Sequence, residues 1–230
     1  MRKLLYIPIV HNQADMGSLE TRLSLEGERK YGQAAWQDHL AQVQISWNRI
    51  ENRIKQQFNS TPAEKVRIYQ DGLPEARERG LKIVKEIARL GSKNYQILED
   101  LFRQGAQLEE AESKELLLQE YGYLSRLTKA TTPAEQLKVY MGYQKVAQEL
   151  LNKRDTYITN RINITLKKDE LGIAFFGGKH SIVDRLDEDI TITIIQEVLF
   201  ILSFCSFSLI GFWTSIFNSC KFCSISWVFL

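Results

Sequence analysis

Apolar positions along the first 195 residues switch repeatedly between alternation and helical spacing, and the switches mark out the elements. Lys3 to Val10 (KLLYIPIV) is a β-branched and aromatic run that reads as a first strand and stops at His11. From Trp36 onward, Trp36, Leu40, Val43, Trp47, Ile50 and Ile54 recur at spacings of four and three, the stripe of an amphipathic helix. Asn59, Ser60, Thr61 and Pro62 break that helix, and Val66 to Tyr69 (VRIY) reads as a second strand. A turn from Gln70 to Pro74 follows. Pro74 suits the first position of the next helix, which carries Leu81, Val84, Ile87, Ala88 and Leu90 and stops at Gly91.

Asn94 to Arg103 reads as a further helix ended by Gly105, and Ala106 to Leu108 as a short strand. Ser113 is placed to cap a helix with Leu116, Leu117, Tyr121 and Leu124 inward. Thr132, Pro133 and Glu135 form a capping-box signature. The helix they open carries Leu137, Tyr140, Val146, Leu150 and Leu151 and runs through Arg154 and Asp155 to Ile162. Asp169 and Glu170 turn the chain into Leu171 to Phe176 (LGIAFF), and Ile190 to Ile195 alternates Ile and Thr as a last strand. Strands alternating with helices predict an α/β fold: a mainly parallel sheet with flanking helices and a substantial helical portion.

The pattern ends near residue 195, so the expected division is an α/β domain over 1–195 and an apolar tail over 196–230. After Glu197 the only charged residue is Lys221, and all three cysteines, Cys205, Cys220 and Cys223, fall there. Val198 to Phe217 has the length and polarity of a transmembrane helix. Its Phe, Ser, Cys, Leu and Ile content equally suits a frameshifted or misjoined reading frame, or a buried helix with a strand. Cys220 and Cys223 have metal or redox spacing, without a second pair to complete a zinc site.

A net charge of +2 with interleaved acids and bases gives no basic stripe, so no nucleic-acid partner is expected. Arg2 and Lys3 precede an apolar run that is short, contains Pro8 and lacks a small-residue cleavage site, so it is read as a strand rather than a secretory signal. The expected location is the cytoplasm, with membrane anchoring if the tail is genuine. The Trp36–Ile54 stripe belongs against the sheet or, as the alternative, forms a homodimer seam.

Candidate chemistry gathers where two apolar strands end in imidazoles, His11 and His180. Carboxyl ends of parallel strands line the ligand crevice of such sheets, so the two rings are expected to converge. With Asp71, Asp15 and Asp155 they would supply nitrogen and oxygen donors for a divalent metal, assigned to His11, His180 and Asp71, that activates a water. His180 acting directly as a base is the alternative. Gly177 and Gly178 would let substrate approach the backbone. Bland readings stand beside these. A histidine at a strand end can bond its own loop, Arg154 with Asp155 can be a solvated pair, and Asp71 before Gly72 can serve the turn alone.

Arg154, Asp155, Gly177, Gly178 and His180 sit within RDTYITNRINITLKKDELGIAFFGGKHSIVDRL, residues 154–186. This stretch resembles the TraB and Tiki superfamily, which includes the erythromycin-esterase and ChaN-like proteins: an arginine-aspartate helix, a strand, a GxxH turn and a following leucine. The resemblance implies roles for Arg154, Asp155, Gly177 and His180, with Arg154, Asp155 and His180 as the catalytic set. It covers the C-terminal half only. Where the family has a first GxxH, this chain has Pro8 before His11, and where it has a glutamate after the second strand, this chain has Asp71. Some members are similar to metal-dependent hydrolases. The expected function is therefore a metal-assisted hydrolase acting on a small-molecule or peptide substrate; the alternatives are a non-catalytic ligand-binding or regulatory protein and a tail-anchored membrane protein.

Overall fold

Burial on both faces explains the continuous apolar run of LGIAFF, which needs a central position in a sheet covered on two sides. The computed structural model, which describes residues 1–9 and 20–195, puts it there. Five parallel strands, β1 (Arg2–Ile9), β2 (Val66–Gln70), β3 (Gln107–Leu108), β4 (Leu171–Gly177) and β5 (Ile190–Ile194), lie in the order β3, β2, β4, β1, β5. Ile9 pairs with Gly177 and Gln70 with Phe175, so β1, β2 and β4 finish at one edge.

Side chains alternate across the strands, and each face has its own helices. Leu5, Ile7, Ile68, Ile173 and Phe175 pack against α2 (Gln33–Phe58), α3 (Arg77–Arg89) and α4 (Lys93–Arg103). On the other face, Leu4, Tyr6, Tyr69, Ala174 and Phe176 pack against Ile158 and Ile162 of α6 (Pro133–Thr165). Asp71, one step past β2, continues the alternation toward α6. α5 (Lys114–Lys129) lies along α6, where Leu117, Leu124 and Tyr143 form a small separate core. At 1.5 Å per residue α6 is about 50 Å long, roughly twice the reach of β4. Its end near Leu166 meets Arg2 at the amino edge of the sheet, so its first half extends past the carboxyl edge.

Of the Trp36–Ile54 stripe, Val43, Trp47, Ile50 and Ile54 are buried in that core, while Trp36 and Leu40 are half-buried. Pro74 does not open α3. The helix starts at Arg77, which has a positive φ of 53°, and Gly80 passes so close to the Glu75 carbonyl that a Cβ would stand 2.4 Å from it. Leu90, expected inward, caps α3 in solvent, and Leu137 is likewise exposed. The sequence pattern gives no sign of α1 (Glu20–Tyr31), which packs on α2 where Gly27 meets the Trp36 ring. Among the described residues no helix is long and apolar enough to cross a membrane. The tail from 196, like His11 and Asp15, lies outside them.

Candidate functional site

Leu150, Arg154, Ile158 and Ile162 follow one another at four-residue steps on α6, so Arg154 occupies the inward, otherwise apolar stripe. It is fully buried. Its Nη2 donates to Asp71 Oδ1 at 2.8 Å, its Nη1 to Glu120 Oε2 at 2.8 Å and its Nε to Glu112 Oε2 at 3.0 Å, with a further bond from Nη2 to Glu112 Oε1. Glu112 precedes the Ser113 cap of α5, and Glu120 lies two turns along that helix. One guanidinium thus gathers carboxylates from β2's end and from both sides of the α5 start.

His180 completes the cluster from the GGKH turn after β4. Its amide donates to the Gly177 carbonyl at 3.0 Å, closing the turn. The ring is fixed on one side by Asp155, whose Oδ1 lies 2.5 Å from Nδ1 and whose Oδ2 accepts from the Ser181 amide at 3.1 Å. Phe176 meets the ring edge-on with centroids 5.7 Å apart. Nε2 is buried without a hydrogen-bond partner and stands 3.4 Å from Asp71 Oδ2, near enough for charge attraction. That Asp71 oxygen is also held by the Gly177 amide at 3.0 Å.

Electrostatics follow from burial and these neighbours. Burial opposes charging of His180, but the Asp71 charge and the Asp155 bond prevail and push its pKa up to about 9, so the ring is an imidazolium at neutral pH. Burial likewise opposes ionisation of Asp71, yet His180, Arg154 and the Gly177 amide hold its carboxyl well below the usual range. Asp155 is lowered for similar reasons: desolvation is outweighed by His180 and the Ser181 amide. Glu112 goes the other way, since desolvation raises it more than Arg154 lowers it. Tyr6, on the same sheet face, is pushed up to about 12 by burial and by the charges of Asp71 and Asp155.

Asp71, Glu112 and His180 each offer a ligand atom, all within 4.8 Å of one another. One nitrogen and two carboxylate oxygens suit a divalent cation, and the unpartnered Nε2 fits such an ion. Four buried carboxyl groups, Asp71, Glu112, Glu120 and Asp155, face the buried Arg154 and His180, with the partly exposed Arg185 3.9 Å from Asp155, so acids still outnumber cations in the cluster. This metal set differs from the expected His11, His180 and Asp71: His11 lies outside the described residues, and Glu112 stands in the third place.

Among the residues expected from the sequence, Arg154, Asp155, Asp71, Gly177 and His180 come together. Gly177 uses its amide on Asp71, and Gly178 is exposed with open space around it. The Arg154–Asp155 pair is neither solvated nor mutual, because the two side chains bond different partners. Glu112 and Glu120 were not expected. Glu120 nevertheless falls between Leu117 and Leu124 at spacings of three and four, an acid on an inward stripe, which is a readable sign. In comparisons with known proteins no family model matches the chain, and no curated protein or solved structure matches it significantly.

Proposed function

We propose that the chain is a hydrolase of the TraB and Tiki type whose site is built on His180 at the carboxyl edge of the sheet. The observation that carries this reading is the state of one ring: Nδ1 is locked by Asp155 while the buried Nε2 has no hydrogen-bond partner and faces Asp71, with Glu112 close by. A histidine oriented through one nitrogen presents the other for ligation or proton transfer. His180, Asp71 and Glu112 would hold a divalent cation, which when bound supplies an activated water for attack on an ester, phosphoester or peptide bond.

The chain's own residues supply the rest. To hold a cation His180 would release its Nε2 proton, with Nδ1 remaining on Asp155. Asp155 keeps the ring from turning, and Arg154 holds Asp71 and Glu112 on the Nε2 side. Arg154 and Asp155 are therefore positioning residues rather than catalytic ones. The Gly177 amide fixes the second Asp71 oxygen.

Metal content of the purified protein, with a screen of ester, phosphoester and peptide substrates against His180→Ala, tests the reading. A stoichiometric divalent metal and turnover, both lost in His180→Ala, are expected. Absence of metal together with absence of His180-dependent turnover overturns it. One observation favours a second reading, a ligand-binding or regulatory protein: Arg154 and its three carboxylates satisfy one another and are all buried. Metal bound by His180 without turnover on any substrate class would select that reading.

A further inference from the structure

The α5 and α6 pair contains a hydrogen-bonded chain that leads from its own small core into the site. Tyr143 is buried, and its hydroxyl donates to Glu120 Oε1 at 2.5 Å. The other Glu120 oxygen accepts from Arg154 Nη1 at 2.8 Å. Arg154 lies three turns further along α6 and grips Glu112 through its opposite edge, Nε and Nη2, while Nη2 also reaches Asp71. Tyr143 is seated in turn by Tyr123, with ring centroids 5.8 Å apart, and Arg126 stands 4.4 Å over the Tyr123 ring.

We propose that Tyr143 is a positioning residue for the His180 site, acting through Glu120 and Arg154. Glu112 and Asp71 hold the guanidinium through Nε and Nη2, and the Glu120 bond fixes its remaining nitrogen, Nη1. The Tyr143 hydroxyl bonds the Glu120 oxygen that Arg154 does not, and so helps to fix that carboxylate. Hydrogen bonds in such a chain polarise one another in a dry interior, so the last link affects the first. Asp71 and Glu112 thus take their places from a hydroxyl that touches neither substrate nor cation. Its effect on Arg154 stands on these contacts alone, whereas its effect on cation binding rests on the function proposed above.

Tyr143→Phe keeps the ring and removes one oxygen. In arginine-labelled protein, solvent exchange of the Arg154 Nε–H, followed by NMR, should speed up about tenfold, the weight of one buried charge-assisted bond. Backbone amide exchange in β1, β2 and β4 should not change. Mn²⁺ affinity should fall about fivefold in Tyr143→Phe, since only part of that bond's energy reaches the cation ligands, and vanish in His180→Ala. In a Glu120→Gln background Tyr143→Phe should add nothing to Arg154 exchange; an undiminished effect there means the tyrosine acts by packing and overturns the proposal. Unchanged Arg154 exchange in the single variant overturns it directly, and that result decides alone if Glu120→Gln does not fold. Wild-type protein that binds no Mn²⁺ counts against the metal reading, while Arg154 exchange still decides the role of Tyr143.

Discussion

Arg67 and Arg154 both meet carboxylates on the α6 side of the sheet, at opposite ends of the strands. Arg67 sits low on β2, bonded to Glu109 at 2.5 Å and to Glu170 at 2.8 and 3.1 Å, with its side chain 19% exposed and Arg161 4.0 Å from Glu109. Acids and bases are matched there, at a wet rim. Arg154 is 1% exposed and faces three carboxylates, with His180 and Asp155 beside them. One is a tie between strand ends and a helix; the other collects negative charge in a dry place at the edge where α/β sheets bind ligands. A buried arginine alone does not indicate function. Surplus acid around it, with an imidazole nitrogen left open, is what the proposed function rests on.

The contrast should appear first in stability. Arg154→Met strands three carboxylates in the interior and is expected to cost about 3–5 kcal/mol, while Arg67→Met costs about 1–2 kcal/mol. Urea melts of both variants measure this, and equal losses would erase the distinction between the two ends. A pH series on metal-free protein isolates His180. Its pKa in the folded chain lies above the ordinary 6.5, so its contribution, ~3 kcal/mol, is complete below pH 6.5 and is lost as pH rises through about 9. Stability that stays flat over this range, or a decline that persists in His180→Gln, would show that the imidazolium is not held as described.

The smallest effects separate neighbouring glycines. A Cβ on Gly177 would lie 3.1 Å from Asp71 Oδ2, so Gly177→Ala should cost about 1 kcal/mol and loosen the Asp71 contact. Gly178→Ala meets open space and should stay within about 0.5 kcal/mol. Thermal melts check both, and a reversed order would put the close approach at the wrong residue.

Much of this architecture was readable from period and punctuation. The capping box at Thr132 and Glu135 opens α6 as expected, and the VRIY and LGIAFF runs are β2 and β4. Elements were missed where the signal was weak or misleading. α1 has too few apolar residues to form a stripe, and Pro74 resembles a helix start although Leu73 and Pro74 are buried in a loop crossing the sheet edge. The site was legible in its parts that sit at strand ends, His180 and Asp71. Glu112 was not seen because an acid just before a helix start is usually solvated and favoured there by the helix dipole, and Glu120 because an acid within a helix usually faces solvent. Only the inward-stripe position of Glu120, and for Glu112 the three-dimensional approach of Arg154, shows otherwise.

Asp71 divides its two oxygens between different donors, a guanidinium nitrogen and the Gly177 amide hydrogen. No neutral isostere can imitate that. An asparagine turned either way would point its NH₂ at another N–H, so Asp71→Asn would unfasten β2 from the turn bearing His180 as well as remove a charge. The proposed ligation and the loop geometry thus fall to a single side chain, and the chemistry of this edge cannot be retuned at position 71 without also moving its histidine.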